Sequence, residues 1–189
     1  LVAFCPVSLR GEGDSEAGTQ ASAMFVHLGE HEATVVERIE QVVAAMGAGK
    51  QELRSMSRDA AMTYAVALLG IAELTTATHI DRVTPPLANM VISNVPGARQ
   101  QMYLNGAPLV GTFPVSAIAM SVGLNATLTS YSDRMDFGFV GNGATMYELP
   151  ELARHVQEAY EELKVAASKH GKARSHGKQA RRKQKVHAR

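Results

Sequence analysis

Short apolar runs and helical stretches follow one another along this chain, and the spacing of the apolar positions changes twice. The first runs, 1–9 and 21–28, are continuous and short, as in buried strands. Between 34 and 72 apolar residues recur every three or four positions, which predicts two helices. After residue 86 the runs are short and β-rich, and from residue 148 the helical spacing returns. The pattern predicts the order β-β-α-α-β-β-β-β-β-α.

Several residues mark where the predicted helices begin and end. Thr34 and Glu37 have the spacing of a capping box, in which each side chain bonds the backbone of the other. Gly47 and Gly49 are predicted to end this first helix. Ser57 is predicted to cap the second.

Turn residues separate the later strands. Asn105 and Gly106 predict a two-residue hairpin turn, because a type I′ turn needs positive φ at both central positions. Ser132-Asp133-Arg134 predicts a second hairpin, and a polar glycine-containing loop is predicted over 10–20. The fold class is therefore mixed α/β without regular βαβ alternation. No glycine-rich phosphate-binding motif follows a strand.

Charge divides the chain into two parts. Residues 164–189 carry ten Lys and Arg and no Asp or Glu, whereas residues 1–163 carry nine basic and 18 acidic residues. The basic part also has few large apolar residues. We therefore predict a folded domain over 1–165 and a basic, disordered tail over 166–189.

Composition excludes several kinds of site. Cys5 is the one cysteine, which excludes an internal disulfide and a multi-cysteine zinc site and fits a reducing compartment. No apolar run approaches the roughly 20 residues of a membrane span. The seven histidines lie at no catalytic motif spacing, so the residues alone supply no general base and no metal site.

Polar residues interrupt two of the β-rich runs. Ser93 and Asn94 follow an apolar run and precede Pro96. Asn125 lies inside another run. A buried amide or hydroxyl without a partner costs roughly 1–3 kcal/mol. Such groups can line a polar channel or brace an oxyanion site, or they can bond to each other or to turns and organise the core. Residue type alone favours the structural role.

Six short motifs together resemble those of a known protein family. PVSLR (6–10), SNVPG (93–97), MYLNGA, GTFPVS, GLNATLTSY and DFGFV occur in this order. Residues 1 to about 165 resemble the C-terminal half of the bacterial wax ester synthase/diacylglycerol acyltransferase family. That family is similar to the chloramphenicol acetyltransferase-like superfamily. The resemblance implies one half of a two-domain acyltransferase, with a mixed, mostly antiparallel sheet packed by helices.

The resemblance also implies a reaction. The family transfers an acyl group from acyl-CoA, a substrate and not a cofactor, to diacylglycerol or a long-chain alcohol. Triacylglycerol or wax esters result. Its general base is the second His of a His-His-x-x-x-Asp-Gly motif in the N-terminal half. This sequence contains no adjacent pair of histidines. We therefore expect a piece of an enzyme that lacks its N-terminal half, holds no catalytic residue and is inactive alone.

The same resemblance places part of the chain at the substrate tunnel. The end of the strand at Ser93 and Asn94 is expected to face the catalytic His, where it would hold the tunnel wall or polarise the thioester carbonyl. The residues expected to bind substrate are Ser93, Asn94, Pro96, Gly97, Asn125 and Ser130.

Two other functions fit the residues. The chain could be a non-catalytic lipid-binding or scaffold remnant of such an enzyme. The tail could bind nucleic acid, since basic residues attract any polyanion, but no aromatic residues are interleaved for base stacking. We expect no specific nucleic-acid partner and a tail that contacts anionic membrane lipid. The expected location is the cytoplasm, peripheral to the inner face of the membrane or to lipid droplets.

Overall fold

A computed structural model describes residues 1–9, 21–80, 83–118 and 122–186, with side chains described up to Lys169. The loop predicted over 10–20 lies outside the described residues.

The described elements follow the predicted order. The described residues form three helices and seven strands, in the order that the apolar spacing indicates. They are β1 (Val2–Ser8), β2 (Ala21–His27), α1 (Val35–Ser55), α2 (Arg58–Ala77), β3 (Met90–Val95), β4 (Tyr103–Leu104), β5 (Ala107–Pro108), β6 (Leu124–Tyr131), β7 (Arg134–Gly141) and α3 (Leu149–Val186).

Five of the strands form one mixed sheet with the order β2-β1-β3-β6-β7. Its outer pairs, β1 with β2 and β6 with β7, are antiparallel. The central strand β3 runs parallel to β1 and to β6. Strands β4 and β5 form a separate antiparallel pair. The predicted mixed α/β fold, with mostly antiparallel pairing, is confirmed.

Each face of the sheet has its own apolar cluster. The first cluster contains Ala3, Cys5, Met24, Val26 and Leu53, and α1 covers it. The second contains Phe4, Ala23, Ala88, Val91 and Val122 on the opposite face. The alternation of side chains along β1 and β2 produces this division.

Helix α2 lies along the edge strand β2. Tyr64 packs against the first cluster and Leu68 against the second. The Ser22 hydroxyl donates a 2.9 Å hydrogen bond to the carbonyl of Ala61. Covering an edge strand in this way protects it from pairing with other chains.

Much of α2 is apolar and exposed. Among the described residues it is the one helix that could cross a membrane by length and composition, which corrects the expectation of no such run. Its exposed apolar side chains include Val66, Leu69 and Leu74. The other face of α2 packs against β2.

The helix starts are as predicted, but one helix end is not. Thr34 and Glu37 form the capping box, and the Ser57 hydroxyl accepts from the amide of Ala60. The prediction that Gly47 and Gly49 end α1 is wrong, because the helix continues to Ser55. Gly49 instead permits close packing, since a Cβ there would lie 2.8 Å from Met24 Sδ.

Both predicted hairpin turns are present. Asn105 and Gly106 have φ of 47° and 80°, as a type I′ turn requires. The strands that flank this turn have only two residues each. Ser132 (φ 53°) and Asp133 join β6 to β7, and Arg134 already pairs with Tyr131.

Helix α3 is longer than expected. Its backbone is helical through Val186, whereas the sequence predicted a disordered tail over 166–189. The reason is composition, because the segment is rich in Ala, Lys, Arg and Gln, which have high helix propensity. A division of the chain at 165/166 stays a prediction.

The two glycines of α1 give a matched test of packing. Gly47→Ala should raise the free energy of unfolding by about 0.5–1 kcal/mol, because no atom lies within 4 Å of the added Cβ and alanine favours helix. Gly49→Ala should gain less than this or lose stability, because buried Met24 must move. Urea unfolding followed by circular dichroism measures both. An equal gain in the two variants would contradict the close contact at Gly49.

Candidate substrate-facing site

The end of β3 contains both polar residues singled out from the sequence. The strand continues through Ser93 and Asn94 to Val95 and pairs with β6 along this length. Ser93 is in register with Thr127, and Asn94 with Leu128. Because successive strand residues point to opposite faces, the Ser93 and Asn94 side chains lie on different sides of the sheet.

Both side chains are available to a partner. Ser93 is half-buried and Asn94 is exposed. Neither has a hydrogen-bond partner among the residues that the structure describes. In particular, the Asn94 amide does not bond the backbone of the following turn, which was the structural alternative for this residue.

Pro96 and Gly97 turn the chain beside β6. Pro96 is exposed, and the amide of Gly97 donates to Ser130 Oγ over 3.2 Å. A Cβ at Gly97 would lie 2.0 Å from the carbonyl oxygen of Ser130, so only glycine fits at this distance. Ser130, expected to bind substrate, thus holds the turn that follows Asn94.

Asn125 is buried, and both ends of its amide are bonded. Its Nδ2 donates to the carbonyl of Ala117 (3.0 Å), and its Oδ1 accepts from the Thr127 hydroxyl (2.8 Å). The same Thr127 oxygen lies 2.8 Å from the Ser116 hydroxyl. These contacts fix residues 116–117 against β6, which is the bracing role considered from the sequence.

Tyr131 extends this arrangement along the same face of β6. Its buried hydroxyl donates to the carbonyl of Leu109 and accepts from the amide of Met102, each over 2.9 Å. One side chain therefore joins the two sides of the β4–β5 hairpin to the sheet.

Asp136 and Arg134 continue the arrangement on β7. The buried Asp136 carboxylate accepts from the amide of Thr112 (2.8 Å) and pairs with Arg134 Nε (3.1 Å). Arg134 also donates to the carbonyl of Val110 over 2.7 Å. Asp136 was not among the residues predicted from the sequence, although its alternation with the apolar residues of β7 was a usable signal.

We call these five side chains the polar face. Its members come from β6 and β7, and together they bind the backbone or side chains of residues 102–117. They are Asn125, Thr127, Tyr131, Arg134 and Asp136.

The described residues offer little chemistry of their own. No group of three or more His, Cys, Asp or Glu among them could hold a metal ion. Burial raises the pKa of the Cys5 thiol, so its nucleophilic thiolate is disfavoured. The site can hold, orient or polarise a ligand at β3, but among these residues we identify no group placed to remove a proton from one.

Comparison with known proteins identifies the domain. The family model described as the WS/DGAT C-terminal domain matches residues 17–164. A putative diacylglycerol O-acyltransferase of Mycobacterium tuberculosis is 37% identical over 166 residues, covering 88% of this chain and 37% of the relative. A second from the same species is 36% identical over 169 residues, covering 88% of this chain and 34% of that relative.

A solved structure gives the same result. The wax ester synthase/diacylglycerol acyltransferase of Marinobacter aquaeolei VT8 matches with a TM-score of 0.74 and 31% identity, over 89% of this chain and 37% of that protein. The chain thus spans little more than a third of the length of these relatives. It belongs to the wax ester synthase/diacylglycerol acyltransferase family and carries the family's C-terminal domain.

Proposed function

We propose that this chain forms the C-terminal half of an acyl-CoA-dependent O-acyltransferase. The enzyme would make triacylglycerol or wax esters from acyl-CoA and diacylglycerol or a long-chain alcohol. The observation that carries the proposal is the family match over residues 17–164, which includes the whole of β3 and the polar face. The two acceptor classes follow from its relatives, a putative diacylglycerol O-acyltransferase and a wax ester synthase/diacylglycerol acyltransferase.

The general base belongs to the other half of the enzyme in this proposal. The His of that half takes the proton from the acceptor hydroxyl. The acceptor oxygen attacks the thioester carbon, a tetrahedral oxyanion forms, and CoA leaves as its thiolate. Hydrogen-bond donors that are already in position stabilise the oxyanion.

Asn94 is the residue of this chain best suited to act on the reacting thioester. Its amide is exposed and has no partner among the described residues, so an incoming carbonyl displaces no protein hydrogen bond. Ser93 points to the other face and is proposed to line the tunnel wall there. Asn125 and Ser130 are already bonded within the domain, and Gly97 and Pro96 form the turn. These four are proposed to act indirectly, by fixing the site's shape.

The N-terminal half is the proposed partner of the chain. The segment held by the polar face presents large apolar side chains outward, and such groups favour a protein interface. The exposed residues are Met102, Tyr103, Leu104, Val110, Phe113 and Val115.

The basic C-terminal segment is proposed to contact anionic lipid. Its ten Lys and Arg residues have no acidic neighbour between 164 and 189. An enzyme with lipid substrates benefits from residence at a membrane surface. The corresponding location is the cytoplasm, peripheral to the membrane or to lipid droplets.

Asn94→Ala tests the proposed role directly in the enzyme assembled with its N-terminal half. We expect kcat to fall about 10²-fold with little change in melting temperature, because an oxyanion-type donor is lost but no internal hydrogen bond is broken. Acyl transfer and melting are measured on the same preparations, and residues 1–189 alone serve as the blank.

Asn125→Ala is the matched control. It should lower the free energy of unfolding by about 1–3 kcal/mol, because Ala117 and Thr127 lose a buried partner. If Asn94→Ala melts earlier yet turns over normally, Asn94 has a structural role only. Transfer by residues 1–189 alone would contradict the half-enzyme proposal.

Removal of residues 168–189 tests the lipid contact. The truncated chain should bind phosphatidylserine vesicles more weakly at low salt, since each basic residue near such a surface contributes about 1 kcal/mol. The difference should vanish at high salt, where these charges are screened. Vesicle co-sedimentation across a salt series measures it, and neutral phosphatidylcholine vesicles are the control. Identical binding of both chains at every salt concentration would contradict the proposal.

A further inference from the structure

The two edges of the main sheet differ in how they are protected. Helix α2 packs against the edge strand β2. At the opposite edge, β7 has eight residues and contains neither proline nor lysine. Among the described residues, no backbone hydrogen bond from outside the sheet reaches β7. An edge strand of this kind is a template for pairing with a further strand.

The hairpin turn at 132–133 decides which backbone groups of β7 face outward. Because the turn has two residues, the pair that closes it, Tyr131 and Arg134, is hydrogen-bonded. Hydrogen-bonded and non-hydrogen-bonded pairs alternate along an antiparallel ladder. The backbone N–H and C=O groups of Asp136 and Gly138 therefore point to β6. The groups that point away from the sheet belong to Met135, Phe137 and Phe139.

The same three residues place apolar side chains on one face of β7. Phe137 and Phe139 stack, with ring centroids 6.1 Å apart. Met135 and Phe137 are 47% and 41% exposed, although both lie within the sheet. The two charged residues of β7, Arg134 and Asp136, lie on the other face and pair with each other. An added strand would therefore meet an apolar stripe without an opposing charge, and its side chains could remove that stripe from water.

The surface beside β7 indicates which partner fits this edge. Residues 110–115 cross the other face of β7, where Asp136 and Arg134 hold them. Phe113 and Val115 of this segment are exposed and belong to the surface proposed above to contact the N-terminal half. The edge of β7 is continuous with that surface. The chain also spans only 37% of the length of the relatives described above, so the remainder of such an enzyme is available to supply a strand.

We propose that an extended segment of the N-terminal half adds to β7 as a further strand of the five-stranded sheet. The segment bonds the outward backbone groups of Met135, Phe137 and Phe139 and covers their stripe with apolar side chains of its own. The identity of this partner rests on the proposed function, whereas the capacity of β7 to accept a strand does not.

The register of the sheet relates the added strand to the candidate site. Asn94, Leu128 and Phe137 form one row across β3, β6 and β7, on the same face of the sheet. Neighbouring strands lie about 4.8 Å apart, so the added strand runs roughly 14 Å from Asn94. Pairing at β7 thus fixes the N-terminal half beside the face that carries Asn94.

Amide hydrogen exchange, followed residue by residue with NMR, tests the added strand. In residues 1–189 alone, the amides of Met135, Phe137 and Phe139 should exchange fast, whereas those of Asp136 and Gly138 are protected by β6. Binding of the N-terminal half should slow exchange at the first three by about tenfold or more. Unchanged exchange at these amides in the bound state would overturn the proposal. Slowing that grows with the concentration of residues 1–189 alone would also overturn it, because a second copy would then be the occupant.

Phe137→Lys and Val43→Lys are matched variants at exposed apolar positions. A lysine on an edge strand opposes the addition of a strand, because its charge would have to be buried there. Phe137→Lys should weaken binding of the N-terminal half by about tenfold or more in calorimetric titration. Val43→Lys, on α1, should leave the affinity unchanged. If Phe137→Lys does not fold, Met135→Lys takes its place, and a folded β7 variant with parental affinity would refute the site.

Acyl transfer by the same assembly separates this proposal from the proposed function. Protection at the outward amides of β7 without any acyl transfer would support the added strand and contradict the proposed function. Acyl transfer by an assembly in which these amides stay unprotected would contradict the added strand and leave the proposed function supported.

Discussion

The buried polar face of β6 and β7 is the constraint on which the site depends. Four of its five side chains are buried, and each of these must find a partner or lose roughly 1–3 kcal/mol, whereas the fifth, Arg134, is half-exposed. Most of the partners are backbone groups of a segment with almost no regular structure of its own, between Met102 and Ala117, and Thr127 bonds the Ser116 side chain of the same segment. Satisfying both sets of groups together fixes one path for this segment across the sheet.

Strand β3 provides the backbone of the candidate site. The strand lies at the centre of the sheet, where β6 pairs with it from Met90 to Val95 and β1 pairs with Met90 and Val91. Its position is therefore rigid, while the side chains of Ser93 and Asn94 have no partners among the described residues. Polar side chains without internal hydrogen bonds, carried on a rigid backbone, can hold a ligand at low entropic cost. This is the arrangement expected of a substrate-facing strand. The opposite orientations of Ser93 and Asn94 place one polar side chain on each face of the sheet.

Short sequence patterns predicted most of the fold, whereas contacts between residues far apart in the sequence could not be predicted from them. The capping box at Thr34 and the turn at Asn105 depend on a few neighbouring residues, and both were predicted. Gly49 was misjudged because its role depends on Met24, a strand residue. The motifs located the candidate site, but not the pairing of Gly97 with Ser130, which are 33 residues apart. The motifs also could not show that the side-chain amide of Asn94 is exposed while that of Asn125 is buried and hydrogen-bonded.

Amide hydrogen exchange measures the central constraint most directly. The amides of Met102 and Thr112 have side chains as acceptors, Tyr131 and Asp136 respectively. If the polar face fixes the segment, both amides exchange slowly in the native protein, and Asp136→Ala accelerates exchange at Thr112 while the amides of β1 and β2 keep their protection. Exchange at Thr112 as fast as in an unfolded chain, or unchanged by Asp136→Ala, would contradict the account.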